Sequence, residues 1–127
     1  IGMNESTFLP RIILSALREK SIKIFGNGGR LQNYIHVSDV AELFLRAAQQ
    51  HTNNTYLAVA ERSYSNFELA SLVKKELLDV EISFVGEDSS CSFLYDGKFS
   101  YGSLQYKPQK SIHEGIIELI KWQQKKF

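Results

Sequence analysis

The stretch Ile22-Lys23-Ile24-Phe25-Gly26-Asn27-Gly28-Gly29-Arg30-Leu31-Gln32-Asn33-Tyr34-Ile35-His36-Val37-Ser38-Asp39-Val40-Ala41-Glu42-Leu43-Phe44 decides how this chain is read. Ile22, Ile24 and Phe25 form a short apolar run, and the glycine-rich Gly26 to Gly29 predicts a turn. Tyr34, Ile35 and Val37 form a second β-prone run. The expected order is strand, hairpin-like turn, strand. Ser38 or Asp39 can then cap a helix, because Val40, Ala41, Leu43, Phe44, Ala47 and Ala48 recur at helical spacing. An acid in the first turn also suits the positive end of the helix dipole. Gly26-x-Gly28 looks like the start of a dinucleotide fingerprint, but the third glycine is absent and the turn leads toward a strand, so no helix N-terminus is offered to a phosphate.

Outward from this stretch the pattern is regular. Phe8, Leu9, Ile12, Ile13, Ala16 and Leu17 share one face of a helix over Phe8 to Lys20, with Ser6 or Thr7 as N-cap and Pro10 tolerated in the first turn. Thr55 to Val59 has strand composition. Ser65 and Glu68 form a capping box for a helix from about Asn66 to Leu78 that turns Phe67, Ala70, Val73 and Leu77 inward, and Val80 to Val85 returns as a strand. Gly86 to Ser92 is a polar loop, Phe93 to Tyr95 suits a short edge strand, and Asp96-Gly97 marks a turn. Ser111 and Glu114 form a second capping box, opening a last helix that carries Ile112, Ile116, Ile117, Leu119, Ile120 and Trp122.

The bulk numbers set bounds. With 127 residues, 43% of them hydrophobic, the chain can bury one core, so a single domain over residues 1–127 is expected. The 15 basic and 14 acidic residues are interspersed and give a net charge of +1, which supplies no electrostatic case for nucleic acid or an anionic membrane. Cys91 stands alone, so neither an internal disulfide nor a cysteine-based metal cluster is possible, and a reducing cytoplasm is the simplest compartment. His36, His51 and His113 lack metal-ligand spacing. No apolar run reaches the roughly 20 residues of a membrane span.

The order apolar-x-apolar-Phe25-Gly26-x-Gly28, followed by Tyr34-Ile35-His36-Val37-x-Asp39-Val40-Ala41, resembles the second half of the NAD-dependent epimerase/dehydratase family, the extended short-chain dehydrogenases that act on nucleotide sugars. Leu104-Gln105-Tyr106-Lys107-Pro108 and a last helix with Gly115 and Trp122 also resemble that family, so the likeness spans nearly the whole chain. It implies an α/β fold, the C-terminal part of a Rossmann-type extended short-chain dehydrogenase, with about four helices and short strands. It further implies a substrate-side domain that lacks the N-terminal dinucleotide-binding domain, and the opening on Ile1-Gly2 without a methionine agrees with that.

What the resemblance implies for function follows residue by residue. Thr7 and Phe8, with Leu9 and Pro10, match a helix start beside the bound nucleotide; Lys23 and Phe25 match strand positions flanking base and ribose; and Gln32-Asn33 stands where many relatives have Arg-Asp, the arginine clamping a diphosphate. A neutral amide does not replace a bidentate guanidinium, but Arg30 lies two residues earlier, on the same face of an extended segment, and can reach the same phosphates. Lys98 or Lys107 could stand in for a second family arginine. The substrate-binding set is therefore Thr7, Phe8, Lys23, Phe25, Arg30 and Gln32, for a nucleotide sugar, UDP-linked by resemblance. No catalytic residue is expected: Tyr106 and Lys110 have the family's tyrosine–lysine spacing, but Pro108 between them prevents the helical turn that would stack them. NAD or NADP would serve the full-length parent and would not be bound by this chain alone. Apolar surface left by an absent domain would favour a homo-oligomer. A reductase of small carbonyl compounds and a non-catalytic interaction module are the alternatives.

Overall fold

The computed structural model describes residues 3–126. Ile1 and Gly2, at the expected domain junction, lie outside the described residues. The elements run α1 (Phe8–Glu19), β1 (Ser21–Phe25), β2 (Leu31–Gln32), α2 (Val37–Ala48), β3 (Tyr64–Ser65), α3 (Asn66–Glu76), β4 (Glu81–Val85), α4 (Lys98–Leu104) and α5 (Ile112–Gln124). The described residues thus hold five helices where four were expected. The additional one is α4, whose seven residues carry no long apolar period; it buries Ser100, Tyr101 and Leu104.

β1 and β4 pair in parallel from Ser21 opposite Glu81 to Phe25 opposite Val85, while β2 and β3 make a separate antiparallel ladder of two residue pairs. The glycine turn is therefore not a hairpin: it hands the chain from one sheet to another. Gly26 and Gly28 adopt φ of +68° and +76°, conformations that side chains with a Cβ disfavour, so glycine is needed there. Along β1, Ile22 and Ile24 are fully buried while Lys23 and Phe25 face outward, the two-residue alternation of a strand covered on one side.

One core organises these pieces. Phe8, Leu9, Ile12, Ile13 and Ala16 of α1 meet Ile22 and Ile24 of β1, Leu69, Ala70 and Val73 of α3, and Ile116, Leu119 and Ile120 of α5. Each of the larger side chains contributes roughly 1.5–3 kcal/mol on burial, and each alanine less. Gln123 on α5 is also buried, and its amide Nε2 donates to the Pro10 carbonyl at 3.2 Å, fastening the last helix to the first. Both capping boxes form, Ser65 with Glu68 and Ser111 with Glu114, so two orphan N–H groups are satisfied at each helix start.

Three local expectations change. His36, rather than Ser38 or Asp39, caps α2: its Nδ1 accepts from the Ser38 N–H at 3.2 Å, and Val37 is already helical. Thr55 to Val59 and Phe93 to Tyr95 join no ladder. Val59 instead offers its carbonyl to the Tyr101 hydroxyl at 2.6 Å, and the Leu57 N–H donates to Ser100 Oγ at 2.7 Å, so α4 side chains take bonds that a neighbouring strand would have taken. Phe67 is 46% exposed because α3 turns Leu69 rather than Phe67 toward the core.

Candidate functional site

A groove of about 360 Å³ lies between the start of α1, β2 and the segment after β4. It brings together Thr7, Arg30 and Gln32, with Tyr34 on one wall and Cys91, Phe93 and Tyr95 on another. Three of the six residues expected to bind substrate thus share one concave surface. The other three do not. Phe8 packs in the core, and Lys23 and Phe25 occupy the open face of β1; none of the three lines the groove.

The groove is a scaffolded one. Gln32 uses both ends of its amide internally, Nε2 donating to Asn66 Oδ1 and Oε1 accepting from the Tyr34 hydroxyl at 2.8 Å. Asn33 clamps the opposite segment, accepting from the Ala60 N–H at 2.8 Å and donating to the Ala60 carbonyl at 3.1 Å. Residues 32 and 33 therefore secure the groove's floor by hydrogen bonds instead of presenting a charge. Thr7 adds little polarity, since its hydroxyl donates to the Asn4 carbonyl at 2.7 Å. Burial pushes the Tyr34 phenol up, which keeps it a donor to Gln32.

Arg30 is the cation of this groove. Its side chain is 27% exposed, its Nε stands 3.5 Å from Asp88 Oδ2, and that Nε is buried without a hydrogen-bond partner. Arg30 also lines a neighbouring cavity of about 650 Å³ formed by the Gly26–Gly29 turn and the Gly86–Ser92 loop. Lys98 and Lys107 belong to a third hollow of about 880 Å³ on the other side of Tyr95, where Lys107 pairs with Glu61 at 3.0 Å.

Sequence reasoning missed Asp88, Phe93 and Tyr95 as groove neighbours, because a polar loop and an irregular segment carry no period that shows where they fold. Tyr106 and Lys110 lie in an irregular segment and turn to different partners. The Tyr106 hydroxyl donates to Asp39 at 2.6 Å, which pushes its pKa up to about 12, whereas Lys110 Nζ pairs with Glu118 at 3.1 Å. His36 accepts at Nδ1 from the Ser38 N–H and donates from Nε2 to Glu118 at 2.9 Å. Among the described residues no group of three or more metal-binding side chains converges, and no helix is long and apolar enough to cross a membrane.

This arrangement of short sheets, helices and groove is part of the Rossmann-type extended short-chain dehydrogenase fold. Nearly the whole chain, 99%, superimposes on 44% of MoeE5 in complex with UDP-glucuronic acid and NAD, with a TM-score of 0.85 at 20% identity. The UDP-glucose 4-epimerase of Thermotoga maritima with UDP-glucose superimposes equally well, TM-score 0.85 at 21% identity, over 97% of this chain and 41% of that one. By sequence, residues 2–59 match the model of the NAD dependent epimerase/dehydratase family. The dTDP-glucose 4,6-dehydratase 1 of Escherichia coli is 22% identical over 126 residues, covering 90% of this chain and 35% of that enzyme. The chain thus spans about a third of the length of the curated relatives it matches.

Proposed function

We propose that this chain is the substrate-side part of an NAD(P)-dependent nucleotide-sugar epimerase or dehydratase, holding the nucleotide while the nicotinamide and the acid/base residues come from elsewhere. The observation that carries the reading is the convergence of Thr7, Arg30 and Gln32 in one groove, with Arg30 as its cation and Phe93 and Tyr95 as aromatic surface. A guanidinium suits a diphosphate, and an aromatic ring suits a base or sugar face. The likeness to proteins bound to UDP-sugars and NAD supports the same ligand class. Lys23 and Phe25 would act from the open face of β1 with whatever packs on it.

In this reading the chain alone is catalytically silent, since Tyr106 and Lys110 are committed to Asp39 and Glu118, and it works in the cytoplasm. NAD or NADP would be held by a cofactor domain. Exposed Val37, Phe44 and Leu45 of α2, with Leu57, form apolar surface that such a domain or a second copy would cover. Calorimetric titration with UDP and a UDP-hexose tests the proposal. Saturable binding that Arg30→Ala weakens at least tenfold, as loss of a charge-assisted contact to a phosphate would, is expected; affinity unchanged by the substitution would remove Arg30 from the diphosphate role.

A further inference from the structure

The loop after β4 is laid tightly over the glycine turn. The Gly26 N–H donates to the Val85 carbonyl at 3.1 Å, and a Cβ on Gly26 would stand 2.9 Å from the Asp88 nitrogen, so only glycine permits this approach. Further on, Ser92 Oγ accepts from the Leu31 N–H at 2.9 Å. Asp88 is thereby held beside Arg30. The contact it makes there is loose: 3.5 Å is an ion-pair separation but too long for a good hydrogen bond, and the Arg30 Nε–H keeps no acceptor. The Asp88 carboxylate does not depend on Arg30 for its charge. The Ser90 N–H, donating to Oδ1 at 2.9 Å, is the main cause holding its pKa below the usual carboxylate range, and the nearby guanidinium adds less.

From this geometry we propose that Asp88 is a built-in carboxylate competitor for Arg30, occupying the guanidinium in the free chain and yielding it to a ligand's diphosphate. The inference rests on the nucleotide reading and adds a determinant of selectivity to it. Arg30 stands at the boundary of two cavities, so ligand oxygens can approach it from the groove while Asp88 approaches from the loop side. A neutral or singly charged ligand gains little by replacing one carboxylate with another oxygen. A diphosphate supplies more charge and several oxygens that match the fork geometry of a guanidinium, so the exchange favours nucleoside diphosphates.

The test is calorimetry with UDP and with uridine on the wild-type chain, Asp88→Asn, Asp88→Ala, Glu87→Gln, Arg30→Ala and the Arg30→Ala/Asp88→Asn double variant. Both Asp88 variants should bind UDP about three- to tenfold more tightly, a gain typical of releasing one half-buried, loosely made ion pair and one nearby like charge, with uridine unchanged. Glu87→Gln removes a charge from the same loop without removing the pair and should change UDP affinity less than about twofold. In the Arg30→Ala background, Asp88→Asn should give no gain. Equal gains from Glu87→Gln, equal gains for uridine, or unchanged UDP affinity in the Asp88 variants would each overturn the competitor role while leaving the nucleotide site standing. Failure of wild type and all variants to bind UDP would overturn the nucleotide reading itself, and this inference with it.

Discussion

Two aspartates in this chain have opposite surroundings. Asp39, in the first turn of α2, is 1% exposed and saturated: its Oδ1 accepts from the Tyr106 hydroxyl at 2.6 Å and the Gln109 N–H at 2.9 Å, and its Oδ2 from the Lys110 N–H at 3.0 Å. Asp88 sits on a surface loop, takes one N–H from Ser90, and meets Arg30 only at 3.5 Å. One carboxylate ties the segment before α5 to α2, and the other leaves its partner's N–H vacant. The contrast teaches where each kind of work belongs. A buried charge persists only when its lone pairs are filled, which makes it structural, whereas a loosely paired charge at a groove edge is free to exchange partners.

The largest effect should come from Asp39→Ala, which leaves the Gln109 and Lys110 N–H groups without an acceptor and should lower stability by about 3 kcal/mol in urea denaturation. A loss below about 1 kcal/mol would mean water replaces the carboxylate and would erase the contrast. Tyr106→Phe removes one donor and should lower stability by about 1 kcal/mol.

The same pair gives stability a pH signature at both ends. For Asp39, burial by itself would raise the pKa, but the Gln109 N–H, the Tyr106 hydroxyl and the Lys110 N–H together hold it below the usual value. A lowered folded pKa contributes stability that is present above the unfolded value of about 3.9 and is lost as pH falls through the folded one. For Tyr106 the folded pKa is raised to about 12, chiefly by its hydrogen bond to Asp39. Its contribution is complete below the unfolded value of about 10 and is lost as pH rises from there through the folded one. Chemical denaturation across pH should show both limbs in the wild type, with the alkaline limb reduced in Tyr106→Phe.

Smallest on stability are the changes at the other aspartate. Asp88→Asn and Arg30→Ala should leave the urea midpoint essentially where it was, while moving UDP affinity in opposite directions. A midpoint that drops in either variant as far as in Tyr106→Phe would make the loop contact structural and bring the two regions together.

Much of the helical framework was legible because its signals are local. The apolar face of α1 and the two capping boxes each need only residues three or four apart, and they appear in the structure where the spacing put them. The strands were less legible. Val37 looked like strand and became the first residue of α2, because the His36 imidazole could serve as cap. Thr55 to Val59 has strand composition, but a ladder needs a neighbour at the right distance, and α4 side chains bind it instead. The candidate site divides the same way. Arg30 was found from its position beside Gln32, yet Asp88 was not, since nothing in a polar loop indicates that it will cross a turn sixty residues earlier in the chain.

By itself, the sequence determined the α/β class, the starts of α1, α3 and α5, the core faces of α1 and α5, and the family likeness. These depend on periodicity, on caps and on the order of short motifs, all of which are written along the chain. Tertiary structure alone decided that β1 pairs with β4 and β2 with β3, that Thr7, Arg30 and Gln32 meet while Lys23 and Phe25 face elsewhere, and that Asp88 stands against Arg30. Those outcomes are set by which distant surfaces exclude water together and which backbone groups are left to find partners, and neither quantity exists until the chain has folded.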